Sequence, residues 1–244
     1  MAESRYSRLC ERVEDILGSP MKVEKTHEVP GNIGTSHNRA YDVTLGAVFV
    51  DMRDSAELFS GNNRELVAKI AKTFDGTMLR MLRAKNCVEM GVRGNTVFAL
   101  YSVTDEQDAR NLVSLVAEVN SAVRLLNILY AQRNLDTVPV GIGASISRGL
   151  VMKARCKLLG DRDRIWIADA IHEAIGLAKT ASSKKENGRL KPVALSPSLY
   201  NLAARDTLPD DVTVVTAFSD DGGAFLGDIR SGALESWIEN HFFG

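Results

Sequence analysis

The chain has 244 residues, 45% of them hydrophobic, with 30 basic against 31 acidic side chains and a formal net charge of −1. That balance excludes the strongly basic footprint of a nucleic-acid binder and leaves enough apolar material for one substantial core. The three cysteines, Cys10, Cys87 and Cys156, make neither a disulfide framework nor a CxxC metal spacing, which matches a reducing cytoplasm. The polar start MAESRYSRLCERVEDILG has no signal-peptide core, and no stretch is expected to reach the roughly 18 apolar residues of a membrane span. A cytoplasmic protein without stable membrane insertion is the expectation.

In chain order, Leu9, Val13, Ile16 and Leu17 fall at helical spacing and predict an amphipathic helix over residues 2–17. HEVPGNIGTSHNRA (27–40) reads as a loop from its Gly, Pro, Ser and Asn content. YDVTLGAVFVD (41–51) is the first strong strand. Residues 55–85 read as helical, with a Gly-Asn-Asn break and a second segment from about residue 63. In that segment Leu66, Ile70, Phe74, Met78 and Leu82 form a core stripe. CVEMGVRGNTVFALYSV (87–103) predicts a hairpin around a Gly-rich turn, and residues 105–133 a long helix capped by Asp105. VPVGIGASISRGLVMKARC (138–156) reads as two strands punctuated by glycine. Residues 164–183 run from a short strand into a helix, and SSKKENGRLK (182–191) is a solvated loop. PVALSPSLYNLAAR (192–205) gives a strand, a Ser-Pro turn and a short helix. The tail carries a strand at 212–218, a Gly-Asp turn and an amphipathic segment ending at Trp237. This order predicts an α+β fold, a mixed sheet covered by helices. No GxGxxG or GxxxxGK[ST] occurs, so dinucleotide-fold and P-loop readings lack support.

VFVDMRDSAELF (48–59) breaks the strand pattern, because a carboxylate, Asp51, ends an apolar run. Asp51 or Asp54 capping a following helix is one reading. The other is a metal–triphosphate site. Asp51 and Asn95, the latter in the hairpin turn, meet if the strand and hairpin are neighbours. The backbone NH groups of DMRDS then lie at a helix start, where phosphate binds readily. Mg²⁺ takes only one or two protein oxygens, with phosphate and water completing its shell. Asn95 is equally at home as a plain turn residue.

Five segments in order resemble the class III nucleotidyl cyclases. VFVDMRDSAELF is similar to their first metal motif, F-[AT]-D-[IL]-x-G-[SF]-[TS], and RGNTVFALY to their second, a Gly-Asp at a hairpin turn. VPVGIGASISRGLV resembles RIGIxxG, DAIHEAIGLAKTAS resembles DVxGDAVNxASR, and VALSPSLYNL resembles VSxxxY. The resemblance spans roughly residues 41–205. It implies a ferredoxin-like mixed sheet flanked by helices and a cyclase catalytic domain at 41–205. An N-terminal helix and loop would occupy 1–40, and a C-terminal extension at 206–244 would pack on the domain or a dimer mate. It further implies attack of a ribose 3′-hydroxyl on the α-phosphate of a nucleoside triphosphate, with two divalent ions, Mn²⁺ or Mg²⁺, per site. Asp51 would bridge both ions, the Met52 carbonyl would help hold the second, and Asn95 stands where the family has its second metal aspartate. Because each motif occurs once, the implied assembly is a homodimer with sites at its interface.

The resemblance also assigns substrate positions. Phe49, Arg53, Asp54 and Ser55 fall in the first motif. Arg53 either clamps phosphate or pairs with Asp54. Gly91 stands where purine cyclases carry a base-reading Lys or Glu, and the second base-reading position falls on Asp169. The ribose-orienting Asn falls on Gly176 and the transition-state Arg on Thr180. Shifting that alignment puts His172 on the ribose Asn. Arg93 shares a sheet face with Asn95 by alternation and is a candidate for the triphosphate. Lys179, Lys184 and Lys185 are candidates from the partner subunit, and all four also read as solvated charges. Gly91 in place of a charged reader resembles the stand-alone bacterial pyrimidine cyclases of anti-phage systems. These make cyclic UMP or cyclic CMP, which activates a separate effector. A degenerate cyclase fold that only binds nucleotide is the rival reading.

Overall fold

The computed structural model describes residues 5–31, 33, 38–55, 60, 63–154, 164–181, 185–186 and 189–244. Lys184 and Cys156 therefore lie outside the described residues, as does the middle of the 182–191 loop. Helix α1 (Arg5–Gly18) and strand β1 (Lys22–Lys25) lead to the long strand β2 (Arg39–Met52). Helix α2 (Arg64–Met81) precedes the hairpin of β3 (Cys87–Arg93) and β4 (Thr96–Ser102). Helix α3 (Glu106–Ala131), strand β5 (Val140–Lys153), strand β6 (Arg164–Ala168) and helix α4 (Asp169–Thr180) follow. After a two-stranded pair, β7 (Lys185–Glu186) and β8 (Arg189–Leu190), come β9 (Val193–Leu195) and helix α5 (Pro197–Ala203). Strands β10 (Val212–Asp220) and β11 (Phe225–Ser231) and helix α6 (Gly232–Phe242) close the chain.

The main sheet runs β10-β11-β9-β5-β2-β4-β3, with β1 added to β2 and β6 to β5. β2 lies at its centre, antiparallel to β4 on one side and β5 on the other. Being flanked by strands and covered on both faces, it reads as an almost continuous apolar run. Strand alternation then divides its residues. Val48, Val50 and Met52 join the larger core, with Ile70, Phe74 and Met78 of α2 and with the buried face of α3. Ala47 and Phe49 face the other way, in a cluster with Ala170, Ala174 and Ala178 of α4. Asp51 has the parity of Ala47 and Phe49. It therefore emerges on the face that α4 covers, not in the α2–α3 core.

The caps follow the sequence: Asn63, Asp105, Ser196 and Ser231 each accept from the backbone N–H three residues on. The glycine-punctuated stretch 138–156 departs from expectation. It contains one continuous strand, β5, and not two. A Cβ at Gly141 would lie 2.1 Å from the Ala178 carbonyl oxygen, and one at Gly143 2.2 Å from that of Ala174. These glycines let α4 rest on the backbone of β5; they do not turn the chain. The C-terminal strands also join the main sheet, β11 pairing with β9. Asn120 of α3, buried, donates to Asp228 Oδ1 and to the Ile229 carbonyl and ties α3 to β11.

By length and hydropathy α3 is apolar enough to cross a membrane, contrary to the sequence expectation. Here it is a core helix of the domain, with residues such as Val113, Val116 and Val119 fully buried. No residue of α1 is buried, so its predicted apolar face, Leu9, Val13, Ile16 and Leu17, stays exposed.

Candidate active site

A cavity of about 690 Å³ opens where β2, β3 and β4 meet α4 and β6. Its lining includes Phe49, Asp51, Arg53, Arg93 and Asn95, named from the sequence, and Lys179, which was expected from the partner subunit but lines the cavity of its own chain. It also includes Glu89, Thr96, Phe98, Leu100, Arg164, Trp166, Ile171 and Ile175, which sequence reasoning did not single out. That volume suits a nucleotide-sized ligand. Cross-strand register builds the site: Asp51 lies opposite Thr96, Thr96 opposite Arg93, and Phe98 opposite both Phe49 and Gly91.

Asp51 is almost fully buried. Thr96 Oγ1 donates to its Oδ1 at 2.7 Å, and Arg53 Nη1 lies 3.9 Å from its Oδ2. Arg53 is anchored from the other side, donating through Nη2 to the Ala181 carbonyl at 2.7 Å, just past the end of α4. Its Nε is buried without a hydrogen-bond partner. Arg53 thus faces Asp51 and not Asp54, which is exposed and holds φ 53°. Ser55 has helical backbone. Asn95 brackets the Met52 peptide. Its Nδ2 donates to the Met52 carbonyl at 2.8 Å, and its own carbonyl accepts from the Met52 N–H at 3.0 Å.

Beyond the acid, the floor is aromatic. Phe49 and Phe98 stack with ring centroids 5.5 Å apart and planes 16° from parallel. The Arg93 guanidinium sits 5.7 Å from the Phe98 centroid. A Cβ at Gly91 would lie 3.0 Å from Phe98 Cε1, so the phenyl ring occupies the space a side chain at 91 would enter. At the far end Trp166 Nε1 donates to Glu89 Oε2, and Arg164 covers the Trp166 ring at 5.9 Å. The two-residue turn Gly94–Asn95 was the available signal for these residues, since it pairs 93 with 96 and hence 91 with 98.

Asp169, Gly176 and Thr180 are not in this cavity. Asp169 is the exposed first residue of α4, Gly176 is exposed with open space around it, and the Thr180 hydroxyl donates to the Gly176 carbonyl. His172 is an exposed residue of α4. The side chain of Lys185 is outside the described set.

No protein-family model matches the chain. It is 28% identical over 196 residues to a uridylate cyclase of Treponema porcinum, covering 80% of this chain and 67% of that protein. A uridylate cyclase of Gulbenkiania mobilis is 24% identical, with 69% of each chain covered. Among solved structures, the adenylyl cyclase CyaB from P. aeruginosa superposes with a TM-score of 0.60 at 14% identity, over 79% of this chain and 96% of that one. The fold is that of the class III nucleotidyl cyclases, and the chain is similar in sequence to curated nucleotide cyclases. Both of these curated relatives bear the name uridylate cyclase.

Proposed function

We propose that this chain is a uridylate cyclase, converting UTP to 3′,5′-cyclic UMP and pyrophosphate in a homodimer whose interface completes each site. The observation that carries the reading is one cavity with Asp51 at its edge. Arg53, Arg93 and Lys179 line the same cavity, and a stacked aromatic floor extends from it. Two carboxylates, Asp51 and Glu89, against four cations, Arg53, Arg93, Arg164 and Lys179, suit a polyanion better than a neutral ligand. The flat Phe49–Phe98 pair offers a stacking face to a pyrimidine ring. Gly91 supplies no charged group where, by resemblance, purine cyclases carry one, and Phe98 narrows that place.

The reaction forms a bond from the 3′-oxygen to the α-phosphorus and breaks the bond from that phosphorus to the oxygen bridging to the β-phosphate. The electron pair leaves with pyrophosphate, and the hydroxyl proton passes to solvent. A bound Mn²⁺ or Mg²⁺ would make the hydroxyl more acidic and neutralise phosphate charge. Asp51 would hold that ion, and Thr96 fixes the carboxylate's orientation through its hydrogen bond. Arg53, Arg93 and Lys179 take up triphosphate charge, and the aromatic floor keeps water from the base. Asp169, Gly176 and Thr180, which lie outside this cavity, would act across the dimer interface.

The donor set fits one divalent ion better than the two implied by resemblance. Among the described residues there is no group of three or more His, Cys, Asp or Glu side chains placed to hold a metal ion. The cavity's other carboxylate, Glu89, is engaged by Trp166.

Incubation with each of the four nucleoside triphosphates and Mn²⁺ tests the reading. Cyclic UMP is expected. Cyclic AMP alone overturns the substrate assignment, and no cyclic product from any triphosphate favours a nucleotide-binding cyclase fold without catalysis. A role in anti-phage defence through a separate effector rests on the likeness to stand-alone pyrimidine cyclases. Cells carrying the gene with the Asp51→Ala change should lose any phage protection the unaltered gene confers.

A further inference from the structure

By resemblance, a second divalent ion beside Asp51 would be held by a carboxylate oxygen, the Met52 carbonyl and a side-chain oxygen at position 95. The first two are already served by a donor or a cation of the chain itself, and the third is turned away. The Met52 carbonyl accepts from Asn95 Nδ2 at 2.8 Å. A carbonyl can only accept, so the nitrogen end of the amide must face it, which turns the amide oxygen away. The backbone bond from Met52 N–H to the Asn95 carbonyl holds the same pair of residues from a second side. Asp51 Oδ1 accepts from Thr96, and Oδ2 faces the Arg53 guanidinium.

That guanidinium is a fixed charge. Its Nη2 is tethered to the Ala181 carbonyl beyond the C-terminal end of α4, and its Nε is buried. The negative end of the helix dipole favours a cation there. A second divalent ion on the Oδ2 side of Asp51 would sit against this positive charge, with a single carboxylate to offset both. An aspartate at 95 would invert the balance. An ionised carboxylate cannot donate to the Met52 carbonyl, and it would add a second negative group that only a cation relieves.

We infer that each site of this protein works with a single divalent ion, the second being replaced by the Arg53 guanidinium, with Asn95 holding the Met52 carbonyl out of metal coordination. This rests on the cyclase reading above. Asn95 is a positioning residue in this scheme, and Arg53 a group that touches the triphosphate.

The test counts ions, not products. Protein is titrated with Mn²⁺ in the presence of uridine 5′-[α,β-methylene]triphosphate, whose P–C–P bridge cannot release pyrophosphate. Free Mn²⁺ is read by electron paramagnetic resonance and bound analogue by calorimetry. The unaltered protein should hold one Mn²⁺ per analogue bound, and Asn95→Asp should hold two. Two ions in the unaltered protein, or one in a folded Asn95→Asp variant, overturn the inference and leave the cyclase reading standing. No binding of the analogue with any amount of Mn²⁺ overturns that reading and this inference with it. Arg53→Gln should weaken the analogue at least tenfold in the presence of Mn²⁺. Unchanged affinity removes Arg53 from the triphosphate site.

Discussion

Gly141→Ala puts the packing of α4 to a direct test. The new methyl would sit 2.1 Å from the Ala178 carbonyl oxygen and 3.0 Å from that of Ala181. An unstrained contact needs about 3.5 Å, so the end of α4 must retreat by roughly 1.4 Å. The obstacle is backbone on both sides, so no side-chain rotation relieves it. Overpacking of this kind costs about 1–3 kcal/mol, and the upper end applies here because nothing flexible can yield. In a chain of this length each kcal/mol moves the melting temperature by about 2–4 °C, giving a drop of roughly 6–12 °C. The same retreat displaces the Ala181 carbonyl that anchors Arg53, so nucleotide affinity should fall alongside stability. Differential scanning calorimetry and analogue titration measure the two effects. A melting temperature within 1 °C of the parent, with affinity unchanged, would show that α4 does not seat on β5 as described.

Further outcomes are open to measurement. Asp51→Ala should abolish Mn²⁺-dependent triphosphate binding while costing only about 0.5–1.5 kcal/mol of stability, because the main link lost inside the protein is the Thr96 hydrogen bond. Binding retained in calorimetry would remove Asp51 from the metal site. Phe98→Ala should lower discrimination between UTP and ATP by about tenfold or more, about 1.4 kcal/mol, since the ring occupies the space beside Gly91. Competition binding with the two nucleotides decides it. Glu118 on α3 has its carboxyl raised above the ordinary range, first by burial and then by the charge of Asp211. A raised acid binds its proton more tightly when folded. Its penalty is therefore absent below the unfolded value, grows as pH rises through the folded one, and stays at full size above it. Glu118→Gln should accordingly raise the melting temperature at pH 8 and lose that advantage near pH 4. An equal shift at both values would refute the assignment.

Local chemistry made much of the architecture readable. Helix periodicity located the α2 stripe, whose Ile70, Phe74 and Met78 are all buried, and Asp105 and Ser196 cap the helices they precede. The hairpin at 87–103 followed from its turn. Where glycine had two meanings the sequence was ambiguous. In VPVGIG it read as punctuation, yet the requirement was close approach by a helix some 35 residues further on. The site divides the same way. That Asp51 and Asn95 meet was legible, because they sit at a strand end and a turn, and a two-residue turn sets its own register. Glu89, Phe98, Arg164 and Trp166 were not, because their importance depends on which face of the sheet α4 covers.

By itself, then, the sequence determined the elements, the order of the strands' apolar faces and the odd carboxylate that ends the central one. These are short-range matters of period, cap and turn. Only the tertiary structure decided what surrounds that carboxylate. Alternation along β2 set Asp51 on the α4 face, β4 brought Thr96 to one of its oxygens, and α4 positioned Arg53 at the other. The Asn95 amide met the Met52 carbonyl only when the hairpin paired with β2. Such contacts join residues tens to more than a hundred positions apart, and no local propensity encodes them. They exist because one sheet and one helix bury their apolar faces together.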